Sequence, residues 1–102
     1  MKVEWDPDKN EENIRKHHID FEDAMLVFAD PNRLERYDLS AHNDLGEDRW
    51  QTLGLVDGVL FVCYTERQDA IRMISARKAD SKERRIYYSH GYEGSGDWPE
   101  TY

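Results

Sequence analysis

Val59-Leu60-Phe61-Val62-Cys63-Tyr64-Thr65, followed after the polar turn Glu66-Arg67-Gln68-Asp69 by Ala70-Ile71-Arg72-Met73-Ile74-Ser75-Ala76-Arg77, is the stretch that decides the fold. The first segment is apolar on both faces, which suits a central strand covered by helices on one side. The second is β-type but carries arginines that packing alone does not require. An arginine in a strand keeps its charge and offers a planar fork of donors that matches a phosphate or a carboxylate. Strict alternation places Ile71, Met73, Ser75 and Arg77 on one face and Arg72, Ile74 and Ala76 on the other, so Arg72 and Arg77 need not work together. RNA is the first partner to test against such a pattern.

Working outward, Asp57-Gly58 reads as a two-residue hairpin turn with positive φ at both positions, joining strands at 49–56 and 59–65. A further strand is expected at 33–39, then a polar loop at 40–47. Upstream, 2–5 is a brief extended start. Asp6 caps a helix with Pro7 in its first turn, running to about His17. Asp20 caps a second helix in which Phe21, Ala24, Met25 and Phe28 form one apolar stripe, ended by Asp30-Pro31-Asn32. Downstream, Asp80-Ser81-Lys82-Glu83 has the form of a capping box that opens a last helix. The expected architecture is α+β, with two N-terminal helices packed on an antiparallel sheet of about four strands and a C-terminal helix. Residues 1–88 form one domain, and 89–102, with three glycines and Pro99, read as a flexible tail whose Trp98 and Tyr102 could dock locally.

Length and charge narrow the function classes. A chain of 102 residues is one domain with a single core. With 38% hydrophobic and 35% charged residues it reads as a well-solvated globule. No leader-like h-region opens it and no window approaches a membrane span, so the cytoplasm is expected. The one cysteine, Cys63, excludes an internal disulfide and suits a buried, inert thiol. A net charge of −8 and a pI near 4.9 oppose broad attraction to a polyanion. Residues 66–85 run against that trend: seven Lys and Arg against four Asp and Glu give them a surplus of three, leaving −11 elsewhere. A local basic patch on an acidic body can hold a phosphate or an acidic partner. The four histidines have no zinc-like spacing, so no metal and no cofactor are expected. A DNA-binding regulator is disfavoured by the charge and by the lack of a recognition-helix pattern.

Trp5-Asp6-Pro7, Lys9, Asn13, Lys16-His17, Phe21-Glu22, Ala24, Val27-Phe28, Asp30-Pro31, then Tyr64-Thr65-Glu66-Arg67, Ile71-Arg72, Ile74-Ser75-Ala76-Arg77 and Glu83-Arg84-Arg85 stand in the order and spacing of the BrnT toxins, which the chain resembles to about Tyr88. The resemblance implies a RelE-like fold and RNA cleavage without a metal. It also implies neutralisation by a BrnA-like antitoxin with a ribbon-helix-helix part, operator DNA being met only through that antitoxin, and a possible dimer within the complex. One departure is plain: Lys16-His17-His18 stands where the family usually has Lys-His-Gly, removing a glycine suited to a helix C-cap.

Cutting RNA without a metal takes a base for the 2′-hydroxyl, cations for the phosphorane and an acid for the 5′-oxygen. Histidine and arginine are the natural suppliers. The candidate catalytic residues are His17, Arg67, Arg77 and Glu66. Lys9, Asn13 and Lys16, sharing one side of the first helix, and Arg72 are the candidate RNA contacts. Each has a plainer reading: a solvated helix face for Lys9, Asn13 and Lys16, a helix-terminal cap for His17, and ion pairs for Glu66 and the arginines. The alternative to an endoribonuclease is a non-catalytic module that keeps the antitoxin surface and contributes to autoregulation of its operon.

Overall fold

The computed structural model describes residues 2–38, 48–90 and 98. In chain order they form β1 (Lys2–Glu4), α1 (Pro7–His17), α2 (Phe21–Ala24) continued by a 3-10 turn (Met25–Ala29), β2 (Leu34–Tyr37), β3 (Arg49–Leu55), β4 (Val59–Arg67), β5 (Ala70–Lys78) and α3 (Ser81–His90). The sheet has five strands in the order β1-β5-β4-β3-β2, with β4 at its centre. The expected four antiparallel strands are therefore joined by a fifth. Lys2–Glu4, only three residues long and weak as a sequence signal, pairs in parallel with Ala70, Ile71 and Arg72.

Both faces of β4 are covered. Leu60, Val62 and Tyr64 join Phe21, Ala24, Val27, Phe28, Ile71, Met73 and Ala76 under α1 and α2. Val59 and Phe61 join Leu34, Leu53, Ala79, Ile86, Tyr87 and Trp98 under α3. The one-sided cover expected for this strand is thus corrected: its period-two apolar pattern runs on both sides because α3 and Trp98 close the second. No helix among the described residues is long and apolar enough to cross a membrane.

α1 lacks an apolar stripe and is held by amides instead. Asn10 accepts from the Phe21 N–H at 2.9 Å and donates to Asp20 at 3.1 Å. Asn13, the one buried residue of the helix, donates to the carbonyls of Ile19 and Ala76 at 2.9 and 2.8 Å and accepts from the Ala76 N–H at 3.0 Å. β1 pairs only with residues 70–72 of β5, and Asn13 takes the place of a neighbouring strand beside Ala76. An unpaired buried backbone group costs roughly 1–3 kcal/mol, which makes this clamp a main support of the helix. α1 ends on His18, which adopts φ 59° and ψ 30° and donates its N–H to Ile14. It takes the left-handed C-cap geometry without the glycine that suits it.

After α2 the chain tightens to three residues per turn, so the buried stripe runs Phe21, Ala24, Val27 in place of the expected Met25. Val27 lies against Gly54 of β3, where an added Cβ would come within 2.7 Å of its side chain. The β3–β4 connection is also looser than expected: Leu55 pairs with Val59, and only Gly58, at φ 96°, is left-handed. The β4–β5 turn is tighter. Glu66 and Arg67 extend β4, leaving Gln68 and Asp69 as the turn, with Gln68 at φ 53°. The capping box forms as read, with Asp80 and Glu83 exchanging hydrogen bonds of 2.8 and 2.9 Å. The expected 40–47 loop and the docking of Tyr102 lie outside the described residues. Ser89 and His90 belong to α3 and Trp98 is buried, so the start expected for the tail at 89 falls inside a helix.

Candidate nucleic-acid interface

One irregularity in β5 decides what the sheet presents. Cys63 pairs with Ser75, but Tyr64 pairs with Met73, so Ile74 is an extra residue, a β-bulge. A bulge reverses the alternation beyond it. Ile71 and Met73 before the bulge and Ala76 after it all enter the core under α1. Arg72, Ser75 and Arg77 therefore share the opposite face. The strict alternation expected from sequence, which split Arg72 from Arg77 and grouped Ser75 and Arg77 with Ile71 and Met73, is corrected.

The register lays that α3-side face out in rows. Arg49, Thr65, Arg72 and Glu4 are paired across β3, β4, β5 and β1. Next come Arg36, Gln51, Cys63 and Ser75, and then Leu34, Leu53, Phe61 and Arg77. At the far end Arg67 lies opposite Ala70, which pairs with Lys2. Arg36, Arg49, Arg67, Arg72 and Arg77 thus all come to one face, and none is buried.

They are held to different degrees. Arg77 makes a bidentate pair with Glu83 at 2.8 and 2.9 Å and stacks on Phe61 with its guanidinium 4.1 Å from the ring centre. Hydrogen bonding to Glu83 raises its already high pKa, so it stays charged. Arg36 donates to Gln51 at 2.7 Å and lies 3.7 Å over the Trp98 ring. Arg72 meets Glu4 only at 3.8 Å, and the Arg49 guanidinium has no hydrogen bond or ion pair among the described residues, its backbone carbonyl alone accepting from the Asp38 N–H at 2.9 Å. Arg49 and Arg72 flank Thr65, about 10 Å apart across two strand spacings. Two like charges so placed favour an anion between them. Beside them, burial pushes the Cys63 thiol up and outweighs the Ser75 hydrogen bond, so it is a neutral thiol and not a nucleophile at neutral pH.

A family model for the ribonuclease toxin BrnT of type II toxin–antitoxin systems matches residues 5–83. The chain belongs to the BrnT family. A solved structure of the Brucella abortus ribonuclease toxin BrnT has the same fold, with 23% identity and a TM-score of 0.58 over 79% of this chain and 99% of that one. No curated protein matches the sequence. Membership implies an RNA substrate and an antitoxin partner for this BrnT chain at the level of the family.

The residues singled out from sequence fall into two groups. Arg67, Arg72 and Arg77 share the arginine face, but six residues of β4 separate the row of Arg67 from that of Arg77, about 20 Å. They cannot converge on one phosphate. Lys9, Asn13, Lys16 and His17 line a shallow groove of about 240 Å³ with Glu12, Ile74 and Ser75, where the bulged edge of β5 meets α1. Within it Lys16 pairs with Glu12 at 2.8 Å, and the Asn13 amide is fully engaged by Ile19 and Ala76. Glu66 alternates onto the α1 side of β4 and is exposed. Ser75 belongs to both groups, which makes the edge of β5 their meeting point. Among the described residues no three His, Cys, Asp or Glu side chains gather as a metal site.

Sequence reading missed Arg36 and Arg49. Their signal was present, since Arg49 and Gln51 alternate with Trp50 and Thr52, but it takes shape only once the pairing register is known.

Proposed function

We propose that this BrnT chain is a metal-independent endoribonuclease in which the arginine face binds the RNA backbone and His17 transfers protons at the edge of β5. The observation that carries this reading is the gathering of five arginines on one sheet face of a chain with net charge −8. Arg49 and Arg72 bind a phosphate between them across Thr65, and Arg77 and Arg67 contact phosphates on either side along the strands. With the scissile phosphate at the Ser75 edge, the 2′-hydroxyl attacks phosphorus, the P–O5′ bond breaks, and a 2′,3′-cyclic phosphate and a 5′-hydroxyl result. His17 is the acid/base group, and guanidinium charge stabilises the phosphorane. DNA lacks the attacking hydroxyl and is not a substrate. A BrnA-like antitoxin neutralises the enzyme by covering this surface.

The second reading, a non-catalytic module that binds antitoxin and contributes to operon control, draws on one contact. Both Arg77 terminal nitrogens are engaged by Glu83, which leaves that guanidinium less able to reach a phosphate. Incubating the protein with a defined RNA in EDTA and analysing the product ends separates the two. Cyclic phosphate ends from the wild type, lost in Arg72→Ala and His17→Ala, support the enzyme. Intact RNA from a folded protein favours the binding module.

A further inference from the structure

The family match ends at residue 83, yet Trp98 is one of the most enclosed side chains of the second core, at 3% exposure. It packs edge-on against Phe61 with ring centres 5.7 Å apart, and its backbone N–H donates to the Glu35 carbonyl at 3.4 Å. Arg36 lies over its ring and Arg77 lies over the ring of Phe61. Arg36, Trp98, Phe61 and Arg77 are therefore linked in a continuous chain of cation–π and aromatic contacts running from β2 to β5. Among the described residues the buried indole N–H has no hydrogen-bond partner. A site selected only to fill a core has no use for an orphaned donor, and phenylalanine or leucine would avoid its cost. What tryptophan adds over both is the largest π face for a cation.

We propose that Trp98 is a positioning residue for the phosphate surface, a clasp contributed by residues beyond the matched family region that fixes Arg36 directly and Arg77 through Phe61. This rests on the reading of the arginine face as the RNA surface. Arginine carries a large side-chain entropy, and a guanidinium held by a ring on one side and by Gln51 at its Nε loses less of it on meeting a phosphate. The clasp thus sets affinity for RNA without itself touching it.

The test uses the full chain, a fluorescent 2′-O-methyl RNA oligonucleotide that cannot be cleaved, and the variants Trp98→Leu, Trp98→Phe, Arg36→Ala and the double variant Trp98→Leu/Arg36→Ala, with thermal unfolding measured alongside. Leucine keeps an apolar side chain at the site but removes the π face and part of the volume, whereas phenylalanine keeps a π face and removes the orphaned N–H. The expected result is binding roughly fivefold weaker in Trp98→Leu, near wild type in Trp98→Phe, and a smaller loss from Arg36→Ala in the Trp98→Leu background than in the wild type. Equal binding by Trp98→Leu and wild type overturns the clasp. So does independent addition of the two single effects, or an equal loss in Trp98→Phe. Arg49→Ala and Arg72→Ala separate the two levels. If they weaken binding while Trp98→Leu does not, the clasp alone fails, and if they too leave binding unchanged, the phosphate reading of the face fails with it.

Discussion

The two faces of this sheet are built from alternate residues of the same strands and have opposite chemistry. Toward α1, Trp50, Tyr64 and Met73 form one row, and Thr52, Val62 and Ala76 the next. That side is closed by Phe21, Val27 and Phe28, and by the Asn13 clamp. Toward α3 the corresponding rows are Arg49, Thr65, Arg72 and Arg36, Gln51, Cys63, Ser75, with apolar cover concentrated at the Leu34, Leu53 and Phe61 end. The difference shows how a small acidic protein can present concentrated positive charge. The α1 side is apolar along its length and the α3 side only at one end, and the bulge at Ile74 lets β5 send Met73 and Ala76 into the first core while aligning Arg72 and Arg77 on the other side.

The strongest challenge to the closed face is Asn13→Ala. It strands the N–H and carbonyl of Ala76 and detaches a helix that has no apolar stripe, so a loss of roughly 3 kcal/mol is expected in urea unfolding. Unchanged stability would mean that α1 is held by something other than the clamp. Next is Gly54→Ala, whose added methyl meets Val27 at a distance that neither backbone can accommodate without moving. A loss of roughly 1–3 kcal/mol is expected, and a neutral outcome would show that the 3-10 turn shifts freely. His18→Gly goes the other way, relieving a left-handed non-glycine residue, and should stabilise the protein by about 0.5–1 kcal/mol.

The smallest effect is one of pH. Asp20 accepts from the Glu22 N–H and from Asn10, and these bonds hold its carboxyl below the usual range. Its folded pKa is depressed, so its contribution is present above the ordinary aspartate value of about 3.9 and fades as pH falls through the lower folded value. Asp20→Asn should flatten the stability curve below about pH 4. An unaltered acid limb would show that the cap contributes nothing there.

Much of the closed face was legible in the sequence, because caps and apolar periods are local signals. Asp6, Pro7, Asp20 and the Asp80–Glu83 box all act where they were read. The place of Val27 in the core instead of Met25 was not legible, since it depends on 3-10 winding after Ala24 and on a close approach to Gly54, 27 residues away, and neither is a local signal. The open face was harder for the same reason. A bulge has no composition of its own here, and without it Arg72 and Arg77 separate. Arg36 and Arg49 sit in short segments whose register is fixed only by pairing. His17 was a candidate from sequence, but its place was not readable there, for only the fold sets its groove against Ser75.

On the proposed reading the arginine face, and not positive charge in general, carries the RNA contact. Its most direct test is the salt dependence of binding to a single-stranded 2′-O-methyl RNA, comparing wild type with Arg49→Ala, Arg72→Ala and Arg33→Ala. Arg33 has the same charge but pairs with Glu35 on the α1 side of the sheet. Each of the first two should weaken binding and lower the slope of log K against log salt by about 0.7, while Arg33→Ala leaves both unchanged. Equal losses from all three would mean that general charge holds the RNA, and no loss from Arg49→Ala and Arg72→Ala would mean that the RNA binds elsewhere.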